Sequence, residues 1–214
     1  MIKIGLVGYG GFGREVMPHL KETISTKYPD NECFFVDNQL PKDKKENDKV
    51  TLEDDFLSES GFEKGFNIAI SNSQLREKIS NKYINAGCKP ISIKAKNSLV
   101  LENVEIDKGS ILCAFTHITS NVKIGRFFHC NFYSYIAHDC EIGDFVTFAP
   151  KVCCNGNVHI HNHVYIGTGA VIKHGTNEKP LIIGEGATIG MGAIVTKDVA
   201  PNETVVGNPA KPLK

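Results

Sequence analysis

The sequence lacks the features that mark several classes of protein. It contains no tryptophan, and its 24 Lys and Arg residues balance 24 Asp and Glu residues. A chain without an excess of positive charge has no electrostatic attraction for nucleic acid or for an anionic membrane surface. Its apolar runs are also far shorter than the roughly 20 residues that cross a bilayer. We therefore expect no nucleic-acid partner and no membrane span.

The cysteines and the N-terminus indicate the compartment. None of the seven cysteines belongs to a Cys-x-x-Cys pair, and the opening residues MIKIGLVGYG lack a charged-then-apolar signal layout. Unpaired thiols are typical of a reducing environment. We expect a cytoplasmic protein.

An apolar repeat of period six organises the second part of the chain. Thirteen consecutive positions six residues apart are apolar: Val100, Ile106, Leu112, Ile118, Ile124, Cys130, Ile136, Ile142, Phe148, Cys154, Ile160, Ile166 and Ile172. A small or β-branched residue usually follows four positions later, as at Val104 and Val122. This period fits neither a helix nor a simple alternating strand. It predicts short strands that stack as a solenoid over residues 91–214, with a loop inserted near 173–182.

The first 90 residues have a different pattern. Residues 2–8 read as a buried strand, a glycine-rich turn follows, and helical spacing comes next. Strand signals recur at 33–37 and 66–70, and a helix signal covers 71–87, whereas 38–50 reads as a polar loop. This alternation predicts a small Rossmann-like α/β domain with a parallel sheet. Glycines before a helix N-terminus let main-chain N–H groups approach an anionic ligand such as a diphosphate.

The hexads, which end in IIGEGATIGMGAIVTKDVAPNETVVGNPAKP, resemble those of the left-handed β-helix acyltransferases. Together with the glycine-loop domain and the segment Ala137-His138-Asp139-Cys140, the chain resembles the sugar O-/N-acetyltransferase family. That resemblance implies acetyl-CoA as cosubstrate and a homotrimer with the cofactor in the groove between neighbouring β-helices. It implies a nucleotide-linked amino-deoxysugar, of the 4-amino-4,6-dideoxy type, as acceptor.

The resemblance also assigns candidate site residues. It points to His138 as general base, with Asp139 and Asn131 in family positions. Residues 18 apart stack in such a helix, which places His138 beside Gly156, whose N–H is a candidate oxyanion donor. The candidate cofactor-binding residues are Thr147, Gly156, Tyr165, Gly167, Thr168, His174, Gly175, Gly186, Ala187 and Ala193. The candidate sugar-nucleotide residues are Gly8, Gly10, Gly11, Phe12, Gly13, Arg14, Asp37, Asn38, Ser71 and Asn72.

Several alternatives stay open from the sequence. The acceptor group is either the amine of a nucleotide sugar or, as the second choice, a hydroxyl of a sialic acid or another sugar. A third possibility is a non-catalytic trimer that binds a nucleotide sugar. The alternating His159, His161 and His163 suggest zinc, but they straddle a turn and need not converge, so we expect no metal. Residues 201–214, rich in Gly and Pro, predict neither strand nor helix.

Overall fold

The computed structural model describes residues 2–27 and 31–213. Two units divide the chain, Met1–Lys96 and Asn97–Lys214. Within the described ranges, every helix is too short or too polar to cross a membrane. Each unit contributes one of the two candidate sites.

The first unit alternates strands and helices. Its elements are β1 Ile2–Val7, α1 Gly11–Lys27, β2 Cys33–Asp37, β3 Val50–Leu52, α2 Glu53–Ser58, β4 Glu63–Ile68, α3 Ser73–Asn85, β5 Lys89–Pro90 and β6 Ile93–Lys94. Strands β1 to β5 form one parallel sheet in the order β3-β2-β1-β4-β5. The predicted strands and helices are therefore present. The order changes direction at β1, which is where an open α/β sheet forms its ligand crevice.

Two short elements between the predicted strands at 33–37 and 66–70 were missed. Strand β3 pairs with β2 and leads directly into α2, although no strand or helix was predicted there. Three residues are too few to show a period, and β3 is held by its neighbour rather than by its own pattern. Phe56 anchors α2, because its side chain is fully buried in the core of this unit.

The second unit is a prism of short parallel strands, the predicted left-handed β-helix. Its strands are β7 Leu99–Val100, β8 Val104–Ile106, β9 Ile111–Leu112, β10 His117–Ile118, β11 Val122–Ile124, β12 His129–Cys130, β13 Tyr135–Ile136, β14 Glu141–Ile142, β15 Thr147–Phe148, β16 Cys153–Cys154, β17 Val158–Ile160, β18 Tyr165–Ile166, β19 Val171–Ile172, β20 Leu181–Ile183, β21 Thr188–Ile189, β22 Ile194–Val195, β23 Thr204–Val206 and β24 Lys211–Pro212. From β7 to β19, each strand pairs with the strand three places on, so the chain winds around three faces.

The three faces are separate sheets. Face 1 has the order β22-β19-β16-β13-β10-β7, face 2 the order β20-β17-β14-β11-β8, and face 3 includes β24-β23-β21-β18-β15-β12-β9. The stacking period is 18 residues, as in the register of Ile118 with Ile136 and of Ile136 with Cys154. These side chains belong to one continuous buried core. Burying such a side chain contributes about 1.5–3 kcal/mol, so many small strands together hold the prism.

A left-handed backbone conformation recurs at the corners of the prism. From residue 115 to 163, every sixth residue has a positive φ: Phe115, Tyr133 and Lys151 between faces 3 and 1, Asn121, Asp139 and Asn157 between faces 1 and 2, and Phe127, Phe145 and His163 between faces 2 and 3. None of them is β-branched, since a branched Cβ is strongly disfavoured there. The repeat therefore determines the turns as well as the strands.

The prism has one interruption. Ile172 stacks on Val195, 23 residues later, instead of on a residue 18 later. The additional residues form a loop, in which the main-chain N–H of Thr176 donates to the carbonyl of Lys179 at 2.9 Å and that of Lys179 donates to Thr176 at 3.2 Å. The interpretation of residues 201–214 was wrong, because β23 and β24 lie there. They pair with each other antiparallel, and β23 continues face 3.

Candidate functional site

The glycine-rich turn after β1 forms the first candidate site. Gly13 fits only as glycine, since a Cβ there would lie 2.0 Å from the carbonyl oxygen of Gly8. Gly8 has a φ of +103°. A Cβ at Gly10 or Gly11 would meet open space. Gly8 and Gly13 therefore allow α1 to pack closely against β1. Gly10 and Gly11 leave main-chain atoms accessible at the start of the helix, where an anion is favoured.

Asp37, at the end of β2, lies beside this turn. Its Oδ2 accepts a hydrogen bond from the main-chain N–H of Tyr9 at 3.1 Å, and its Oδ1 accepts one from Asn38 at 2.8 Å. The Arg14 guanidinium lies 5.4 Å from the centre of the Tyr9 ring and 3.6 Å from Asp43 Oδ2. The carboxylate of Asp37 is thus held in place and retains further lone pairs for a hydroxyl or a base edge.

The segment after β4 adds the other side of the crevice. Asn72 is the N-cap of α3, and its Oδ1 accepts a hydrogen bond from Leu75 N–H at 2.9 Å. Buried Arg76 donates from Nη1 to the carbonyls of Ile70 at 2.7 Å and Ser71 at 3.1 Å. Parallel strands place their carboxyl ends at one edge, so this segment, the glycine turn and Asp37 share that edge. Phe12 is half-buried and Asn38 is exposed.

The second candidate site is the corner between faces 1 and 2, which we call the His138 corner. His138 is 60 % exposed there, and its Nδ1 lies 2.7 Å from Asp139 Oδ2. Within the described residues, its Nε2 has no hydrogen-bond partner. The hydrogen bond from His138 holds the pKa of Asp139 below its usual value, and a second one from Asn121 adds to this effect. An ionised Asp139 fixes the proton on Nδ1, which leaves Nε2 as the basic atom.

Gly156 lies against the His138 imidazole one coil further on. A Cβ added to Gly156 would lie 2.6 Å from Cε1 and 2.7 Å from Nε2. The carbonyl of Gly156 accepts a hydrogen bond from Gly175 at 3.0 Å, whereas no acceptor is found for its N–H in the described part of the chain. His174 is the next residue of this column and is exposed. A basic nitrogen and an available N–H are therefore side by side.

Two predicted residues do not contact this pair directly. The Asn131 side chain donates to the carbonyl of Phe148 at 3.2 Å and is 9 % exposed. Thr147 is 3 % exposed on β15 of face 3. In the single chain both side chains are enclosed, and the structure does not bring either into hydrogen-bond contact with His138.

The remaining candidate cofactor residues lie on face 3 and at the corners on either side of it. Tyr165 and Thr168 are exposed. Gly167 is buried, and a Cβ added there would lie 2.6 Å from the main-chain nitrogen of Met191. Gly186, with φ +68°, allows the close approach of Asn202. Ala187 and Ala193 are fully buried in the prism core. These two alanines offer a ligand main-chain atoms only, since their side chains point inward.

The histidine alternation on face 2 does not form a cluster. His163 stacks on Phe145 with ring centres 5.4 Å apart, whereas His161 is exposed. Among the described residues, no group of three His, Cys, Asp or Glu side chains is arranged to hold a metal ion. Cys154 is fully buried, and the hydrogen bond that its thiol donates to Cys140, together with burial, raises its pKa well above the usual value. A thiol in that state is a poor nucleophile.

Sequence reasoning missed one residue of the His138 corner, Asn121. Its Nδ2 donates to Asp139 Oδ1 at 3.2 Å. The available signal was its spacing, 18 residues before Asp139, which is one full coil.

Comparisons with known proteins agree with this arrangement. A family model described as the PglD N-terminal domain matches residues 3–83. The GDP-perosamine N-acetyltransferase of Escherichia coli O157:H7 is 47% identical over 211 residues, covering 98% of this chain and 96% of that protein. The chain belongs to the sugar O-/N-acetyltransferase family. The acetyltransferase is therefore an enzyme of the predicted fold and family, and both predictions are confirmed.

Solved structures extend the likeness over the whole acetyltransferase. WeeI from Acinetobacter baumannii AYE has a TM-score of 0.95 and 50% identity, with 100% of both chains covered. The acetyltransferase domain of PglB from Neisseria gonorrhoeae FA1090, solved in complex with acetyl coenzyme A, has a TM-score of 0.85 and 26% identity. That match covers 99% of this chain and 98% of the other.

Proposed function

We propose that this acetyltransferase transfers the acetyl group of acetyl-CoA to the amino group of GDP-perosamine or a closely related nucleotide-linked 4-amino-deoxysugar. The observation that carries the proposal is the pairing of His138 Nδ1 with Asp139 at 2.7 Å, which leaves Nε2 unpaired beside Gly156. N-acetylation of a nucleotide-linked amino sugar is also the activity named for the Escherichia coli relative that spans nearly the whole chain.

The chemistry needs no covalent enzyme intermediate. As the sugar nitrogen attacks the thioester carbon, His138 Nε2 takes the proton that the nitrogen loses. The carbonyl oxygen becomes an oxyanion, to which the N–H of Gly156 donates. When the tetrahedral intermediate collapses, the C–S bond breaks and the imidazolium returns the proton to the coenzyme A sulfur. Asp139 stabilises the imidazolium between the two proton transfers.

The first unit holds the nucleotide part of the acceptor in this proposal. The open main chain at Gly10 and Gly11 faces a diphosphate, and Asp37 accepts from a ribose hydroxyl or from a base edge. The acetyl-CoA candidates Tyr165, Thr168 and His174 are exposed and remain proposed contacts.

A homotrimer and the cytoplasm belong to the same proposal. The core side chains of face 1 point inward, so their strand neighbours point outward. Those outward residues are largely apolar: Leu99, His117, Tyr135, Cys153, Val171 and Ile194. On face 2 the same positions are mainly charged or polar: Glu105, Lys123, Glu141, His159 and Ile182. Face 1 therefore suits a subunit contact. All seven cysteines are free thiols, which suits a reducing compartment.

Thiol release from acetyl-CoA tests the reaction. We expect rapid release with GDP-perosamine and a loss of several orders of magnitude in kcat for His138→Ala. GDP-rhamnose, which carries a hydroxyl in place of the amine, is the matched control acceptor. Release with GDP-rhamnose alone would support O-acetylation instead, and tight nucleotide binding without release would favour a binding protein. UDP- and dTDP-linked 4-amino-sugars test the choice of base.

A further inference from the structure

A ladder of amide side chains leads along the prism to the His138 corner. Asn103, Asn121 and Asp139 occupy the same left-handed position in three successive coils, with φ of 54°, 56° and 57°. Asn103 Nδ2 lies 3.3 Å from Asn121 Oδ1, and Asn121 Nδ2 lies 3.2 Å from Asp139 Oδ1. The ladder ends at the carboxylate that pairs with His138.

The direction of these hydrogen bonds follows from chemistry. An ionised carboxylate only accepts hydrogen bonds, so the amide of Asn121 must present its NH₂ group to Asp139. Its oxygen then faces Asn103, which must in turn present its own NH₂ group. Each amide in the ladder is thereby oriented by the carboxylate at its end, and only Asn121 touches that carboxylate.

The two oxygens of Asp139 are divided between two partners. Oδ1 accepts from Asn121, and Oδ2 lies 2.7 Å from His138 Nδ1. Both His138 and Asp139 are exposed enough for water to compete for these oxygens. A side chain that occupies Oδ1 from the coil below restricts rotation of the carboxylate and keeps Oδ2 on the imidazole.

We propose that Asn121 is a positioning residue for the reaction, which holds Asp139 so that His138 keeps its proton on Nδ1 and offers Nε2 to the substrate amine. The inference rests on the proposed role of His138 as general base. It concerns a residue one coil away from the reacting atoms, and Asn121 itself need not touch either substrate.

The ladder supplies its own matched control. Asn121→Gly and Asn103→Gly remove the same side chain at the same backbone conformation, which glycine adopts without strain. Only the first removes a hydrogen bond to Asp139. We expect Asn121→Gly to lower kcat roughly tenfold with KM for acetyl-CoA and for GDP-perosamine unchanged, while Asn103→Gly stays within about twofold of the parent. Equal kcat for the two variants would overturn the proposal.

A second variant, Asn121→Asp, tests the electrostatic effect on His138 and provides a result even if Asn121→Gly fails to fold. Asn121→Asp keeps shape and backbone preference but places a carboxylate against Asp139. The added negative charge stabilises the imidazolium form of His138, so the acidic limb of the kcat/KM profile should move to higher pH. Asn103→Asp, one coil further away, should move it less. Identical profiles for both would contradict the proposal. Cys140, whose Sγ lies 3.5 Å from the His138 carbonyl oxygen, is unchanged in both variants. The same is true of the ionisable side chains Glu102, Lys173, His174, Glu178 and Lys179.

A double variant separates this inference from the proposed function. If Asn121 acts through His138, Asn121→Gly adds no further loss to His138→Ala. Full activity of His138→Ala would refute the proposed function itself. Inactive His138→Ala together with parent-like kcat and pH profiles for both Asn121 variants would refute only the role of Asn121.

Discussion

The His138 imidazole lies so close to Gly156 that a Cβ there would be 2.7 Å from Nε2. Gly156→Ala should therefore push the ring away from its present position. A displacement of about 1 Å in a reacting group costs on the order of 100-fold in rate, and we expect a loss of that size in kcat. Steady-state thiol release measures it. Gly156→Ala should also lower the melting temperature, because the methyl group and the imidazole compete for the same space. In the His138→Ala background the methyl group has room, so adding Gly156→Ala should not lower the melting temperature further. A Gly156→Ala enzyme with parental kcat would exclude the close packing of the two residues.

Asp139→Asn tests the carboxylate. Because the pKa of Asp139 lies below its usual value, through its hydrogen bond with His138, the carboxylate contributes stability above the pKa of an unfolded Asp. That contribution disappears as the pH falls through the lowered folded value, below about pH 4. The difference in unfolding free energy between parent and variant, from urea titrations, should be larger at pH 7 than at pH 3. At pH 7 kcat should fall by about tenfold or more. A difference in unfolding free energy that grows toward pH 3 would contradict the lowered pKa of Asp139.

Asp37→Ala tests the nucleotide crevice. A hydrogen bond to a charged group contributes about 1.5–3 kcal/mol, so KM for GDP-perosamine should rise roughly ten- to hundredfold. KM for acetyl-CoA should stay unchanged, because the cofactor candidates belong to the prism. Asp54→Ala, which changes an exposed carboxylate on α2, is the control. A parallel rise in both KM values for Asp37→Ala would indicate general damage instead of a lost contact.

Val171→Lys tests the subunit contact. The residue lies at an outward position of face 1, and a buried unpaired charge there is costly. Light scattering should show a trimer for the parent and a smaller species for the variant, with reduced activity. Ile182→Lys makes a comparable change at an outward position of face 2 and should leave the trimer intact. A monomeric parent would remove the intersubunit groove proposed for acetyl-CoA.

Part of the candidate site could be predicted from the sequence, because it follows from the period of the repeat. The spacing of 18 residues alone places Gly156 beside His138. Asp37 and the glycine turn could be assigned to one edge because parallel strands end together. The burial of Ala187 and Ala193 also follows from the repeat, since both occupy its inward position. As cofactor candidates they can therefore contribute only main-chain atoms.

The sequence by itself determined the prism, its three faces, the glycine-turn domain and the column that contains His138. These follow from local pattern, because a repeat buries the same position in every coil. Only the tertiary structure decided which side chains meet between coils. The bond from Asn121 to Asp139, the enclosure of Thr147 and Asn131, and the pairing of β3 with β2 depend on side-chain direction and on neighbours distant in sequence. A pattern of residue types does not contain that information.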